Sequence, residues 1–274
     1  MAFNILESSI FGGRPIELYE FYVLGQYWRY TNAEAAVVFL GAEFTPIPRL
    51  KRSSIKSTQN VERNEITISM RGDTPIAMEY LQGPPSEPVA VRIYQKHRDD
   101  PDYIVRYRGR VQNCSWVDNG ATAELQCTQI NWSLKQPGLR RSFQFACPYP
   151  LFEQGCNLNR NAFEVTATVT VINARVLTLS FSTTAYESNY FAGGYVSWTR
   201  ETGRRDRRMI LDSSSNTVRM QLTSIGLSVG DIVTLYPGCN HTTDACHSKF
   251  NNTRNYGGFP FIPESSPFAG TTLF

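Results

Sequence analysis

Apolar and polar positions alternate with a period of two along most of this chain, which predicts strands rather than helices. Ile16-Glu-Leu-Tyr-Glu-Phe-Tyr-Val23 alternates as a half-buried strand does. Gln26 to Thr31 continues the pattern after Gly25, so the two read as a hairpin. Two prolines in Phe44-Thr-Pro-Ile-Pro48 forbid helix and predict extended chain. Strands follow over Glu65–Met70, Val89–Gln95 and Tyr103–Val111. Cys114–Val117 and Ala123–Thr128 flank Asp118-Asn-Gly120, a strong hairpin signal. Helix is sparse. Asn32-Ala-Glu-Ala-Ala is a helix-like start too brief to matter, and Thr74–Leu81 reads as a short helix with Pro75 at its first position. Gly83-Pro-Pro-Ser-Glu-Pro88 is a break.

Downstream, Phe163-Glu-Val-Thr-Ala-Thr-Val-Thr-Val171 is the most regular strand, with the β-branched content that suits a pleated surface. Val176–Phe181, Gly194–Trp198, Arg208–Leu211, Thr217–Leu222 and Asp231–Tyr236 follow at short spacing between turn-forming stretches. Such spacing predicts a compact barrel or sandwich. The chain therefore reads as mainly β, with two β domains joined and tailed by cysteine-bearing loops. The first domain spans 1–135 and a cysteine loop 136–159. The second domain spans 160–236 and a cysteine-bearing tail 237–274.

Composition narrows the function classes. The chain has 274 residues, enough to bury a proper core. A formal charge of +3 with 19% charged residues and no long basic run neither demands nor excludes nucleic acid. The most basic spot, Gly203-Arg-Arg-Asp-Arg-Arg208, reads as a solvated hairpin tip or a protein interface, not a specific nucleic-acid site. Met1-Ala-Phe-Asn-Ile-Leu-Glu lacks the features of a signal peptide, and no apolar run is long enough to span a bilayer. The expectation is a protein made in the cytosol without membrane insertion, where structural disulfides are rare.

No enzyme motif is present: no phosphate-cradling loop, nucleophile elbow, His-Glu-x-x-His or dinucleotide fingerprint. The expectation is a non-enzyme. Of three histidines, His97 lies in a charged turn and is expected to face solvent. His241 and His247 lie near thiols and are expected to orient ligands or sit at the surface.

Six cysteines divide by context. Cys114 and Cys127 fall on paired strands and read as small buried hydrophobes. Cys147 and Cys156 stand nine apart, and Cys239 and Cys246 seven apart, in coils rich in Pro and Gly that flank the second β domain. A disulfide is disfavoured by the compartment. Zinc favours Cys-x-x-Cys spacings, which neither pair has. A cubane iron–sulfur cluster needs four thiolates around a larger body, and Phe145, Phe152, Phe259 and Phe261 are at hand to shield one. Spacing alone leaves cluster and zinc open.

Several runs resemble one family. Gly238-Cys-Asn-His-Thr-Thr-Asp-Ala-Cys246 followed by Lys249-Phe-Asn-Asn-Thr-Arg-Asn-Tyr-Gly-Gly-Phe-Pro-Phe-Ile-Pro263 is similar to the carboxyl-terminal signature of the tail-tip hub proteins of long flexible-tailed phages and gene transfer agents. Phe191-Ala-Gly-Gly-Tyr-Val-Ser-Trp198, Gly230–Leu235, Pro15–Phe21 and Trp28–Thr31 resemble that family too, so the likeness spans nearly the whole chain. The cysteine pattern is also similar to that of the lambda tail tip protein L, whose relatives carry a four-iron cluster. The resemblance implies a virion protein of the tail tip, assembled in the host cytoplasm. It implies a [4Fe–4S] cluster on Cys147, Cys156, Cys239 and Cys246, with Cys114 and Cys127 outside the motif. It further implies a homotrimer around the tail axis, partnered by the distal tail ring, the central receptor-binding or spike protein, and the tape measure. The alternatives are a cytosolic iron–sulfur electron carrier and a zinc-stabilised binding module.

Overall fold

Period-two patterning builds two β units, one over Met1–Gln136 and one over Pro137–Phe274. The structure is a computed structural model and describes residues 15–55, 65–81, 83–98, 100–129, 143–181 and 186–262. The expected boundary after residue 135 and the tail beyond residue 262 lie outside those residues.

The first unit is a nine-stranded sheet of β1 (Pro15–Val23), β2 (Gln26–Thr31), β3 (Val37–Phe39), β4 (Ala42–Pro46), β5 (Lys51–Arg52), β6 (Ile66–Arg71), β7 (Ala90–His97), β8 (Tyr103–Val117) and β9 (Thr122–Gln129). Their order is β3-β4-β2-β1-β7-β8-β9-β6-β5. The sheet is buried on both faces at β1. Tyr19 and Phe21 join the main core with Trp28, Ile68 and Ile93, while Leu18 joins Phe39, Phe44 and Tyr94 in a smaller one. Cys114 and Cys127 pack in the main core as small hydrophobes, and burial pushes the Cys114 thiol up to about 12. Helix α1 (Pro75–Met78) starts at Pro75 and buries Ile76 and Ala77. No helix among the described residues is long and apolar enough to cross a membrane.

Two local expectations for this unit fail for identifiable reasons. Residues 32–35 form bends and residue 36 is irregular, so no helix starts there. There Asn32 Oδ1 accepts the Glu17 N–H and Thr31 Oγ1 accepts the Ala33 N–H, side-chain bonds that compete with helix. His97 is buried at 2% exposure rather than solvent-facing, because β7 runs on to it and pairs it with Pro15.

The second unit is a closed antiparallel barrel of β10 (Val165–Asn173), β11 (Val176–Leu179), β14 (Thr217–Met220), β13 (Arg205–Ser214), β12 (Tyr195–Thr199) and β15 (Ile232–Tyr236), in that spatial order. Its interior holds Val169, Leu177, Val196, Trp198, Ile210, Val218, Val233 and Leu235.

The arginine run is not a solvated tip. Strand β13 starts at Arg205, so alternation turns Asp206 and Arg208 onto the inner row with Ile210 and leaves Arg205 and Arg207 exposed. Arg200, Arg204 and Arg208 are all buried around the fully buried Asp206. The Arg200 guanidinium donates to Asp206 Oδ2, and Arg204 Nη2 lies 3.9 Å from the same oxygen. Arg208 Nε donates to the Thr223 carbonyl at 3.2 Å. Burial lowers the pKa of Arg208; Asp206 opposes that shift, while Arg200 and Arg204 add to it.

This arrangement predicts unequal effects along one strand. Asp206→Asn removes the carboxylate from among buried guanidinia and should cost about 3–5 kcal/mol in a urea melt. Arg207→Glu, on the outer row, should change stability by no more than about 0.5 kcal/mol. Equal effects at the two positions would contradict the buried cluster.

Candidate metal centre

The loop module on the barrel begins where two backbones cross. Strand β15 ends at Tyr236 and the chain passes through Pro237-Gly238 into Cys239. A Cβ on Gly238 would lie 2.0 Å from the Ala192 carbonyl oxygen, and one on Gly194 would lie 2.0 Å from that of Tyr236. Only glycine at both positions lets the chains approach so closely. The crossing gives a physical reason for Gly194 and Gly238, while Gly193 beside them takes a positive φ of 75°. It is pinned by Lys249, whose ammonium donates to the carbonyls of Gly238 (2.8 Å) and Tyr190 and sits 4.4 Å over the Tyr190 ring.

The two cysteine stretches are then tied to each other. The Cys147 N–H donates to the His241 carbonyl at 2.9 Å, and the Tyr256 hydroxyl reaches the same carbonyl at 3.3 Å and that of Phe145 at 2.9 Å. The Phe259 N–H donates to the Gln144 carbonyl. Asn252 joins both stretches at once: its N–H donates to the Cys246 carbonyl at 2.9 Å, and its side-chain amide donates to the Cys156 carbonyl at 2.7 Å. Asn255 fixes that amide by donating to Asn252 Oδ1. Beneath them Phe152, Phe163 and Phe250 pack ring against ring. Tyr236 anchors the entry segment by donating to Glu164 at 3.1 Å and stacking on Tyr195.

All four cysteines are half-buried and line one cavity with overwhelmingly apolar walls, which include Tyr149, Leu151, Leu158 and Phe250. Three sulfurs accept hydrogen bonds. Cys239 takes the His241 N–H at 3.3 Å, Cys147 the Gly257 N–H at 3.5 Å, and Cys156 the Asn252 amide at 3.7 Å. The His241 N–H favours the Cys239 thiolate. Burial nevertheless raises the pKa of Cys239 and Cys246, and the neighbouring thiols add to it. Among the described residues no three His, Cys, Asp or Glu side chains gather closely enough to hold a single ion. Four thiols from the two stretches line this one small cavity. The donor set fits an iron–sulfur cluster.

The expected shield differs. Phe145 is half exposed and Phe261 almost fully exposed, while Phe152 sits below in the aromatic layer. Tyrosine, leucine and Phe250 wall the cavity instead, because the glycine-rich turns bring Tyr149 and Tyr256 inward. His241 reaches the cavity, yet its backbone makes the contacts, held in the left-handed region at φ 61°. His247 lies outside the cavity wall with its Nδ1 3.5 Å from Thr253 Oγ1. Sequence reading passed over Asn252, Tyr256 and Lys249 as individual residues. Their signal was present only as positions within the run Lys249–Tyr256.

Comparison with known proteins places this architecture. Over 98% of both chains, the structure superposes with a TM-score of 0.72 and 18% identity on a chain from the virion of a native gene transfer agent particle, which shows a shared fold. An uncharacterized protein of Xylella fastidiosa (strain 9a5c) is 27% identical over 192 residues, 62% of this chain, and the chain spans 38% of that relative's length. Residues 189–266 match the family described as phage conserved hypothetical protein BR0599. Fold and matches together define a structural protein of phage tails. Residues 22–159, just over half of the chain, match the family baseplate hub protein, N-terminal attachment domain, and the chain belongs to that family.

Two substitutions separate backbone from side-chain roles here. His241→Gly should hold stability within about 1 kcal/mol, since glycine adopts positive φ freely. Asn252→Leu leaves the Cys156 carbonyl without its donor and should cost about 1–3 kcal/mol. Thermal melts read both, and a larger loss at position 241 than at 252 would contradict the assignment.

Proposed function

We propose that this chain is a tail-tip hub subunit whose two cysteine stretches are locked together by a [4Fe–4S] cluster on Cys147, Cys156, Cys239 and Cys246. The observation that supports the cluster is the set of four thiols around one apolar cavity, with N–H groups directed at their sulfurs. When bound, such a cluster supplies covalent cross-linking between loops that lack a large core of their own. Cys239 is fixed by the glycine crossing, Cys147 by its backbone bond to His241 in the other stretch, Cys246 by backbone bonds to Thr242 and Asn252 within its own, and Cys156 by the Asn252 side chain. Membership of the hub family supports the assembly role. In that role the subunit forms a trimer around the tail axis and joins the distal tail ring to the central receptor-binding or spike protein. The function is structural.

Protein purified without oxygen should be brown and contain about four irons and four sulfides per chain. Serine at any of the four positions should abolish the absorbance, whereas Cys114→Ser or Cys127→Ser should cost only packing, on the order of 1–3 kcal/mol. Colourless protein with one zinc would reject the cluster. Particle imaging tests the hub role separately: density for this chain in the capsid or tube shaft, or a symmetry other than threefold, would reject the corresponding part.

A further inference from the structure

Two hairpin turns of the sheet unit carry leucine where the backbone favours glycine or asparagine. Val23 pairs with Gln26 and Phe39 with Ala42, so each loop has two residues, Leu24-Gly25 and Leu40-Gly41. All four have positive φ: 42° and 87° in the first loop, 51° and 74° in the second. That is the requirement of a type I′ turn, which selects Asn-Gly or Asp-Gly. A branched side chain in this region crowds its own carbonyl. Elsewhere the hairpin turns put Asp118 and Asn119, Ala174, and Ser215 at positive φ, which are small or polar residues.

Neither leucine gains burial in return. Leu24 is 69% and Leu40 68% exposed. Solubility is not served either. The neighbours Val38 and Tyr27 are exposed as well, at 73% and 49%. The two tips share one end of the sheet, because β2 and β4 run parallel, with Tyr30 beside Thr45. Gln26 begins β2 four residues before Tyr30 and Ala42 begins β4 three before Thr45, so both turns lie at nearly the same height on neighbouring hairpins. Backbone strain kept in duplicate at an exposed position points to use.

We propose that the Leu24 and Leu40 tips form a paired apolar prong that seats in an apolar recess on another protein of the tail. The occupant follows from three features. Both turns fall within the residues that match the attachment domain of the hub family, and attachment needs a contact surface on this unit. Neither loop nor its flanking pair, Val23 to Gln26 and Phe39 to Ala42, contains a charge, so the partner surface is apolar rather than phosphate. The tips are convex and require a concave acceptor. The inference rests on the reading that the chain is built into the tail.

The test uses the full chain expressed from particle-producing genomes that carry Leu24→Asn with Leu40→Asn, or Leu24→Met with Leu40→Met. Asparagine relieves the turn, so the purified double Asn variant should melt no lower than the unaltered protein. Its incorporation into purified particles, read by immunoblot, should fall at least tenfold, while the double Met variant is incorporated normally. Normal incorporation of the Asn variant, or a lower Tm for it, would overturn the prong. A concentration-dependent dimer of the unaltered protein that the Asn variant loses would make a second copy the occupant and overturn the partner assignment. Absence of the unaltered chain from particles would instead overturn the tail reading itself.

Discussion

The crossing of Gly194 and Gly238 is the constraint on which the loop module depends. Two main chains pass so closely that a single methyl group on either would overlap a carbonyl. Closed barrels leave no strand edge to which a long loop can add, so the excursion after β15 has to be held by something other than a ladder. A backbone contact of this kind fixes direction as well as position. From there the next residue is Cys239, and two positions further on the His241 carbonyl accepts the Cys147 N–H. Lys249 closes the arrangement by holding both sides of the crossing through their carbonyls.

The second unit handles charge in two opposite ways. In the barrel, three guanidinia are withdrawn from water around one carboxylate, and the cost of desolvating them is offset by hydrogen bonds and by Asp206. In the loop module the half-buried groups are thiols, and burial raises the pKa of Cys239 and Cys246. A permanent charge suits a permanent plug, because it never switches.

How much of this was legible in the sequence follows from the range of the interactions. Strands such as Ile16–Val23 and Val165–Asn173 are written locally, in alternation that survives inspection by eye. The bond from the Cys147 N–H to the His241 carbonyl is not local, yet the Pro- and Gly-rich settings marked both stretches as irregular. Four features were not legible, each for one reason. The arginine run looked like a tip because four like residues in five positions suggest solvent, while strand alternation sends every second one inward. His97 looked exposed because its neighbours are charged, although the strand continues through it. Asn252 was invisible because an asparagine in a polar run carries no mark of the two backbones it joins. The leucines at positions 24 and 40 look like ordinary strand residues until the turn geometry is known.

The ends of the nine-stranded sheet bear on how many copies can be crowded together safely. One outermost strand, β3, has three residues and the other, β5, has two. Unpaired main-chain groups at a sheet margin are a template on which a like chain can polymerise, and short margins blunt that risk. The barrel, being closed, offers no margin at all. Among the described residues, then, little ladder is left free for a like chain to zip onto. Contacts between copies are then decided by side chains, which can set a fixed number of subunits, rather than by backbone, which sets no limit.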